Sequence, residues 1–276
     1  MIVDYHMHLR GPRDADGSEP LVLTADNAER FALVARARGV TEIGFTEHVY
    51  YFRQTAPVWH LPYHTQRCVH DLDAYVDAVL EARRRGHPVR LGIEVDYVGD
   101  RQDALAELLA PYPFDFILGS VHEVGDMDLD KQPGVWGHRS VEDVWRGYFD
   151  HLCELARSGH VDVMAHPDLP KIFGDRPAPE VVAELHERVP AALAEAGVAV
   201  EISTAGLRKP VGELYPDEAF LAACHRRGVP ITTASDAHLA ELVGHELPRA
   251  VELARRLGYE TVSVFERRHR RQEPLG

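Results

Sequence analysis

The chain has 276 residues, 45% hydrophobic and 27% charged, which suits one large α/β domain at least as well as two small ones. A formal net charge of −14 argues against broad binding to nucleic acid or anionic membranes, both of which need a basic surface, but leaves room for a small phosphorylated molecule held by a few local cations. Cys68, Cys153 and Cys224 are far apart and read as free thiols of a reducing compartment; with no apolar run of membrane-spanning length and no leader pattern at the start, a soluble cytoplasmic protein is expected.

In chain order, the apolar run Met1-Ile2-Val3 leads into Asp4-Tyr5-His6-Met7-His8. Residues two apart on a strand point to the same side, so His6 and His8 can reach one metal ion from a strand end; a pair of surface histidines is the plainer alternative. A polar Gly/Pro-rich loop fills residues 10–17. Thr24 then opens a helical pattern, with Phe31, Val34 and Ala35 on one face, that closes at Arg38-Gly39, and glycine suits the left-handed turn at a helix end. A strand, Glu42-Ile43-Gly44-Phe45-Thr46, ends in Glu47-His48.

The same punctuation recurs. Helical stretches close at Arg85-Gly86, Ser158-Gly159, Ala196-Gly197, Arg227-Gly228 and Leu257-Gly258, and apolar strand-like runs follow at 90–95, 161–165, 198–202, 230–233 and 261–265. A short helix near 101–109 precedes a further strand at 114–121. Alternating β and α units with apolar strands imply a parallel sheet covered by helices, with seven strands before the last run. An open doubly wound sheet and a closed barrel both fit this pattern.

Two insertions interrupt the rhythm. Residues 49–71 carry Tyr50, Tyr51, Phe52, Trp59 and Tyr63, and residues 123–139 carry Trp136 and His138; both read as covers or binding loops. No domain boundary is visible, so residues 1–276 read as a single domain ending in a polar, frayed tail at 267–276. His186 and His225, within helical stretches, read as surface residues.

The C-terminal ends of the predicted strands carry His6 and His8, His48, Glu94, His122, His166, and Asp236 with His238. These are ligand types that Zn, Mn and Fe accept. Singly each has an ordinary explanation: His166 as a buried histidine with its hydrogen bonds satisfied, Glu94 as the partner of an arginine. Together they would cost desolvation energy in apolar strand ends unless something compensates them. In a barrel these ends converge on one mouth, whereas in an open sheet many lie too far apart to share an ion, so the set favours a barrel.

Asp4-Tyr5-His6-Met7-His8, Thr46-Glu47-His48, Gly92-Ile93-Glu94, Gly119-Ser120-Val121-His122, Ala165-His166-Pro167-Asp168-Leu169-Pro170-Lys171 and Ala234-Ser235-Asp236-Ala237-His238 resemble, in this order, the motifs of the polymerase and histidinol phosphatase (PHP) family of metal-dependent phosphoesterases. Residues 114–122 and Thr204-Ala205-Gly206-Leu207-Arg208-Lys209 are most similar to its histidinol-phosphatase branch. The resemblance implies a distorted (β/α)7 TIM-like barrel with its active site at the C-terminal strand ends, holding two to three divalent ions (Zn, Mn or Fe). It implies His6, His8, Glu94 and Asp236 around a first ion, Glu94, His122 and His166 around a second, and His48 and His238 with a residue of the first loop around a third. Many members have a histidine at that loop position; here it is Asp14, with Asp16 as a fallback.

The implied function is hydrolysis of a small phosphomonoester, L-histidinol phosphate foremost, in histidine biosynthesis, by in-line attack of a water activated between two metals bridged by Glu94. Lys171 and Arg208, just past strand ends, are expected to bind phosphoryl oxygens at the mouth, with Arg10 and Arg13 as further cations and Asp168 as a general acid. Competing readings are a phosphoesterase of the same family acting on another small phosphoester or a nucleotide, an amidohydrolase or deaminase, and a metal-binding protein without activity. Amidohydrolases also begin with His-x-His, but many bridge their metals with a lysine where this chain has Glu94 or His122.

Overall fold

The structure, a computed structural model, describes residues 1–12, 19–125, 127–131, 136 and 138–276. In chain order, the first half forms β1 (Val3–Asp4), α1 (Ala25–Ala37), β2 (Glu42–Phe45), α2 (Pro62–Thr65), α3 (Leu72–Arg84), β3 (Val89–Asp96), α4 (Gln102–Leu109) and β4 (Phe116–Ser120). The remainder forms β5 (Glu123–Val124), β6 (Met127–Asp128), α5 (Val141–Arg157), β7 (Val163–Met164), α6 (Pro179–Ala196), β8 (Ala199–Ser203), α7 (Glu218–Arg226), β9 (Ile231–Ala234), α8 (Leu247–Arg256), β10 (Thr261–Glu266) and β11 (His269–Pro274).

Side-chain chemistry sets where the helices start. Thr24 accepts the Asn27 backbone N–H at 3.2 Å ahead of α1, and Ser140 and Asp217 accept those of Asp143 and Phe220, each at 3.0 Å, ahead of α5 and α7; each satisfies an amide that the first turn cannot. At the other end Gly197 closes α6 in the left-handed region at φ 70°, where a side chain would be strained.

Seven strands form one sheet in the order β1-β2-β3-β4-β7-β8-β9, and every neighbouring pair is parallel. The first and last strands then meet. The Tyr5 N–H donates to Thr233 O (3.0 Å), the His8 N–H donates to Ala237 O (2.8 Å), and Met7 and Ala237 form a parallel bridge. Asp4, fully buried, accepts from the Ser235 N–H (2.7 Å), the Ser235 hydroxyl (2.6 Å) and the Gly244 N–H (2.8 Å). The sheet is therefore a distorted seven-stranded β/α barrel, with α1 and α3 to α8 among the elements that cover it.

An aromatic cluster fills the interior below the site. Tyr5 stacks on Phe116 at 5.0 Å between centroids, and Phe265 from β10 packs on both at 6.0 and 5.6 Å. Glycine makes room for it: a Cβ at Gly44 or Gly92 would stand 2.6 Å from the Phe116 ring. Gly92 lies two residues before Glu94 on β3, so the strand that receives the aromatic ring below presents the carboxylate above.

Two expectations are corrected, and a third element takes a definite form. Residues 267–276 are no frayed tail: β11 pairs antiparallel with β10 along its length, and Arg268 donates to Asp162 at 2.9 Å, because β10 buries Val262, Val264 and Phe265 and needs a partner for its free edge. His186 is buried rather than on the surface, packed between Phe149 (6.0 Å) and Phe220 (5.5 Å) on the face of α6 that meets α5 and α7. The insertion at 49–71 is a run of short helical turns at Val49–Tyr51, Arg53–Val58 and Pro62–Thr65.

Candidate metal centre at the barrel mouth

The C-terminal strand ends bring the predicted side chains to one place. Glu94, near the end of β3, is fully buried, with His48 pairing alongside it in a parallel bridge. Its Oε2 lies 2.9 Å from His48 Nδ1, 3.2 Å from His6 Nε2 and 3.6 Å from His8 Nε2. Its Oε1 lies 3.5 Å from His166 Nε2 and 3.6 Å from His122 Nε2. Asp236 Oδ1 is 3.3 Å from His8 Nε2 and 3.7 Å from His6 Nε2, and the His238 ring lies 4.2 Å from that of His8.

These groups face shared points rather than one another. Glu94 Oε1 and Oε2, His6 Nε2, both His8 ring nitrogens and His48 Nδ1 are buried without a hydrogen-bond partner. A buried carboxylate left unpartnered on both oxygens costs several kcal/mol; cations between the groups would satisfy it and the imidazole lone pairs together. Ligand-type atoms within 4.8 Å of one another group as His6/His8/Asp236, His6/Glu94/His166, His8/His48/His238 and His48/Asp96/His122. The donor set, mixed imidazole and carboxylate, fits divalent transition metals.

Backbone and electrostatics are arranged to match. His166 and Asp236 have φ of 25° and 50°, a left-handed region that non-glycine residues enter at a cost, typically at functional sites. Burial alone would raise the Glu94 and Asp236 pKa values, but the facing imidazoles, His48 and His6 for Glu94 and His6 and His8 for Asp236, hold both well below the usual carboxylate range. Both therefore remain anionic. Burial lowers the His122 pKa, and Asp96 outweighs it, leaving it raised to about 10.

Sequence reasoning did not assign the carboxylates that hold these imidazoles. Asp96 accepts from His122 Nδ1 (2.6 Å), and Glu201 lies 2.9 Å from His6 Nδ1. Glu47 lies 3.6 Å from His8 Nδ1 and also accepts the Leu9 N–H. Such partners fix ring orientation and tautomer. The signal was available: Val95-Asp96-Tyr97 and Val200-Glu201-Ile202 are acidic residues in apolar strand ends, the same pattern that singles out Glu94.

The groups open into a cavity of about 290 Å³. Beside the metal-type residues it is lined by Tyr50, Tyr51, Tyr63 and His64 from the first insertion, by Glu123, Asp128, Asp130 and Lys131 from the second, and by Arg10 and Lys209. A second cavity of about 280 Å³, walled by Trp59, Tyr97 and His151, shares His64, Asp96, His122 and Glu123 with it.

The expected phosphate cations and general acid fall differently. Lys171 is fully buried, and its Nζ lies 2.7 Å from Asp168 Oδ2, 3.3 Å from Glu213 Oε2 and 2.7 Å from Leu214 O, so three acceptors take up its three protons. Asp168 is also fully buried; besides Lys171 it accepts the Asp217 N–H (2.8 Å). Neither lines the cavity, and neither does Arg208, which corrects the expected place of Lys171 and Arg208 at the mouth; the turn after His166 directs Asp168 and Lys171 inward. Arg208 Nη2 donates to the carbonyls of Ser235 (2.7 Å) and Asp236 (3.1 Å), while its Nη1 is buried without a partner. Arg13, Asp14 and Asp16 lie outside the described residues.

Among the described residues no helix is long and apolar enough to cross a membrane. The PHP domain family model matches residues 21–205. A curated probable histidinol-phosphatase of Deinococcus radiodurans is 32% identical over 88% of this chain and 91% of its own length. Two solved structures share the fold: histidinol phosphate phosphatase of Lactococcus lactis, complexed with zinc, L-histidinol and phosphate (22% identity, TM-score 0.75, covering 98% of each chain), and a putative histidinol phosphatase of Listeria monocytogenes (18% identity, TM-score 0.74, covering 90% of this chain and 99% of that one). The chain belongs to the PHP domain family.

Proposed function

We propose that the protein is a metal-dependent phosphomonoesterase that hydrolyses L-histidinol phosphate to L-histidinol and phosphate. The observation that carries this reading is Glu94, buried with both oxygens unpartnered and ringed by five imidazoles. The names of its curated relatives supply the substrate. In this reading residues 1–276 act as one barrel domain in the cytoplasm, on a small substrate rather than a nucleic-acid polymer.

His6, His8, Glu94 and Asp236 would hold one ion and Glu94, His122 and His166 a second. His48 and His238 would hold a third, with Asp14 from the first loop; Zn, Mn and Fe all suit these donors. When bound, the ions neutralise phosphoryl oxygens and lower the pKa of a water. The chain's own groups then orient the ester. Arg10 and Lys209 add positive charge along the wall, and Arg208, bonded through Nη2 to the carbonyl of the lining residue Asp236, would turn its buried Nη1 to a phosphoryl oxygen as a charge-assisted donor once substrate enters. Tyr50, Tyr51 and Tyr63 exclude water from one side.

A phosphate-release assay of metal-reconstituted protein against L-histidinol phosphate, glycerol phosphate, a nucleotide and a phosphodiester tests this. Histidinol phosphate is expected to give the highest kcat/KM. Equal turnover of all the monoesters would remove the assigned substrate and keep the chemistry; no phosphate release from any would remove both.

The leaving alcohol of this substrate carries an ammonium group, and Glu123 lines both cavities. Glu123→Gln is expected to lower the ratio of kcat/KM for histidinol phosphate to that for glycerol phosphate by about tenfold, the size of a charged hydrogen bond. An unchanged ratio would show that the amine is received elsewhere.

A further inference from the structure

We propose that Glu201 is a positioning residue that ties the ligand sets of two metal ions together, holding the His6 ring and the His166 main chain on one carboxylate. This rests on the metal-centre reading above. Glu201 lies within β8 and is fully buried. Its Oε2 is 2.9 Å from His6 Nδ1, and its Oε1 accepts the His166 backbone N–H at 3.2 Å. One carboxylate thus touches residues from opposite parts of the barrel, which both face Glu94 and which the proposed assignment gives to different ions.

The first contact sets a tautomer. An ionised carboxylate only accepts, so Nδ1 of His6 carries a proton and the lone pair of the neutral ring is on Nε2. That atom lies 3.2 Å from Glu94 and 3.7 Å from Asp236, where an ion shared by the three would sit. The second contact holds backbone. His166 has φ 25°, which a residue with a Cβ leaves unless it is held. Glu201 takes its N–H, and its carbonyl accepts the Tyr148 hydroxyl at 3.0 Å. The residue is clamped from both sides, its ring 5.7 Å from that of His6.

The competing account is that Glu201 merely balances a charged His6 in the barrel interior. Glu201→Gln separates the two. A glutamine has nearly the same shape but one accepting atom in place of two, so it cannot receive both His6 Nδ1–H and the His166 N–H. Zinc affinity, measured by competition with a chromophoric chelator on the folded metal-free protein, is expected to fall about 10–100-fold, the range for lost partners of metal ligands. The visible absorption of the cobalt-substituted protein is expected to shift as the geometry at His6 and His166 relaxes. Tyr148→Phe, which frees only the His166 carbonyl, should weaken zinc binding less, and its effect should be less than additive with that of Glu201→Gln because both hold the same residue.

A folded Glu201→Gln protein with wild-type zinc affinity and an unchanged cobalt spectrum overturns the proposal, whatever its melting temperature. Should that variant not fold, Glu201→Asp takes its place: it keeps the charge that would balance His6 but withdraws the carboxylate from both contacts, and wild-type zinc affinity there overturns the proposal. These readouts do not depend on which phosphoester is hydrolysed. Absence of zinc binding by the unaltered protein would instead sink the metal-centre reading, and this proposal with it.

Discussion

Glu94→Gln is expected to leave the barrel folded and to abolish both metal retention and phosphatase activity, the latter by roughly 10³-fold or more. The change keeps shape and removes only charge. In the unaltered protein both carboxylate oxygens are buried without hydrogen bonds, within 2.9 to 3.6 Å of five imidazole nitrogens. In the metal-free protein the facing imidazoles alone offset the desolvation of this anion, and they do so well enough to hold its pKa below the usual carboxylate range. The metal-free variant should therefore melt somewhat below the metal-free parent at neutral pH, because a carboxylate with a depressed pKa contributes stability when ionised. What it should lose is the rise in melting temperature on adding zinc, since a ligand that binds only the folded state stabilises it in proportion to its affinity. Metal analysis, calorimetry with and without zinc, and phosphate release together decide the matter. A variant that turns over substrate with full metal content would remove Glu94 from the bridging role.

Arg208→Lys is expected to lower kcat/KM by about 10²-fold for every phosphomonoester alike, with metal content unchanged. The geometry explains why a lysine should not serve. Arg208 uses one nitrogen to hold the Ser235 and Asp236 carbonyls and has a second, Nη1, buried and unpartnered. A planar fork can brace the loop that carries Asp236 and still reach an anion, whereas an ammonium group is a single point of attachment. A loss confined to histidinol phosphate would move Arg208 from the phosphoryl group to the leaving group, and full activity would leave it with a bracing role only.

The architecture was legible because it is written in local chemistry. Gly39, Gly86 and Gly197 mark helix ends that the structure places in the left-handed region, and apolar runs without alternation could only be strands buried on both faces. The convergence of His6, His48, Glu94, His122, His166 and Asp236 followed from counting strand ends. What failed was side-chain direction after the strands. Lys171 and Arg208 both stand a few residues past a strand end, yet one turns inward onto Asp168, after a turn at His166 with positive φ, and the other braces the Asp236 loop; spacing cannot separate these outcomes. Asp96 and Glu201 went unassigned for a different reason. A carboxylate that orients an imidazole has the same sequence signature as one that would bind an ion, and only distance distinguishes them. The hairpin of β10 and β11 was missed because residues 267–276 are polar: the strand is exposed along most of its length and gains its order from pairing with β10 rather than from burial.

The seam between the first and last barrel strands carries a kinetic consequence. Asp4 and Ser235 are 231 positions apart, so this joint is among the most expensive in chain entropy and is expected to form late in folding. His6 and His8 stand on one side of it and Asp236 and His238 on the other. A chain still open there presents only part of a coordination shell, so tight metal capture waits for ring closure, and an ion once captured acts as a latch across the joint. Slower amide hydrogen exchange at Tyr5 and Ser235 in the metal-loaded protein than in the metal-free one would be the signature of that latch.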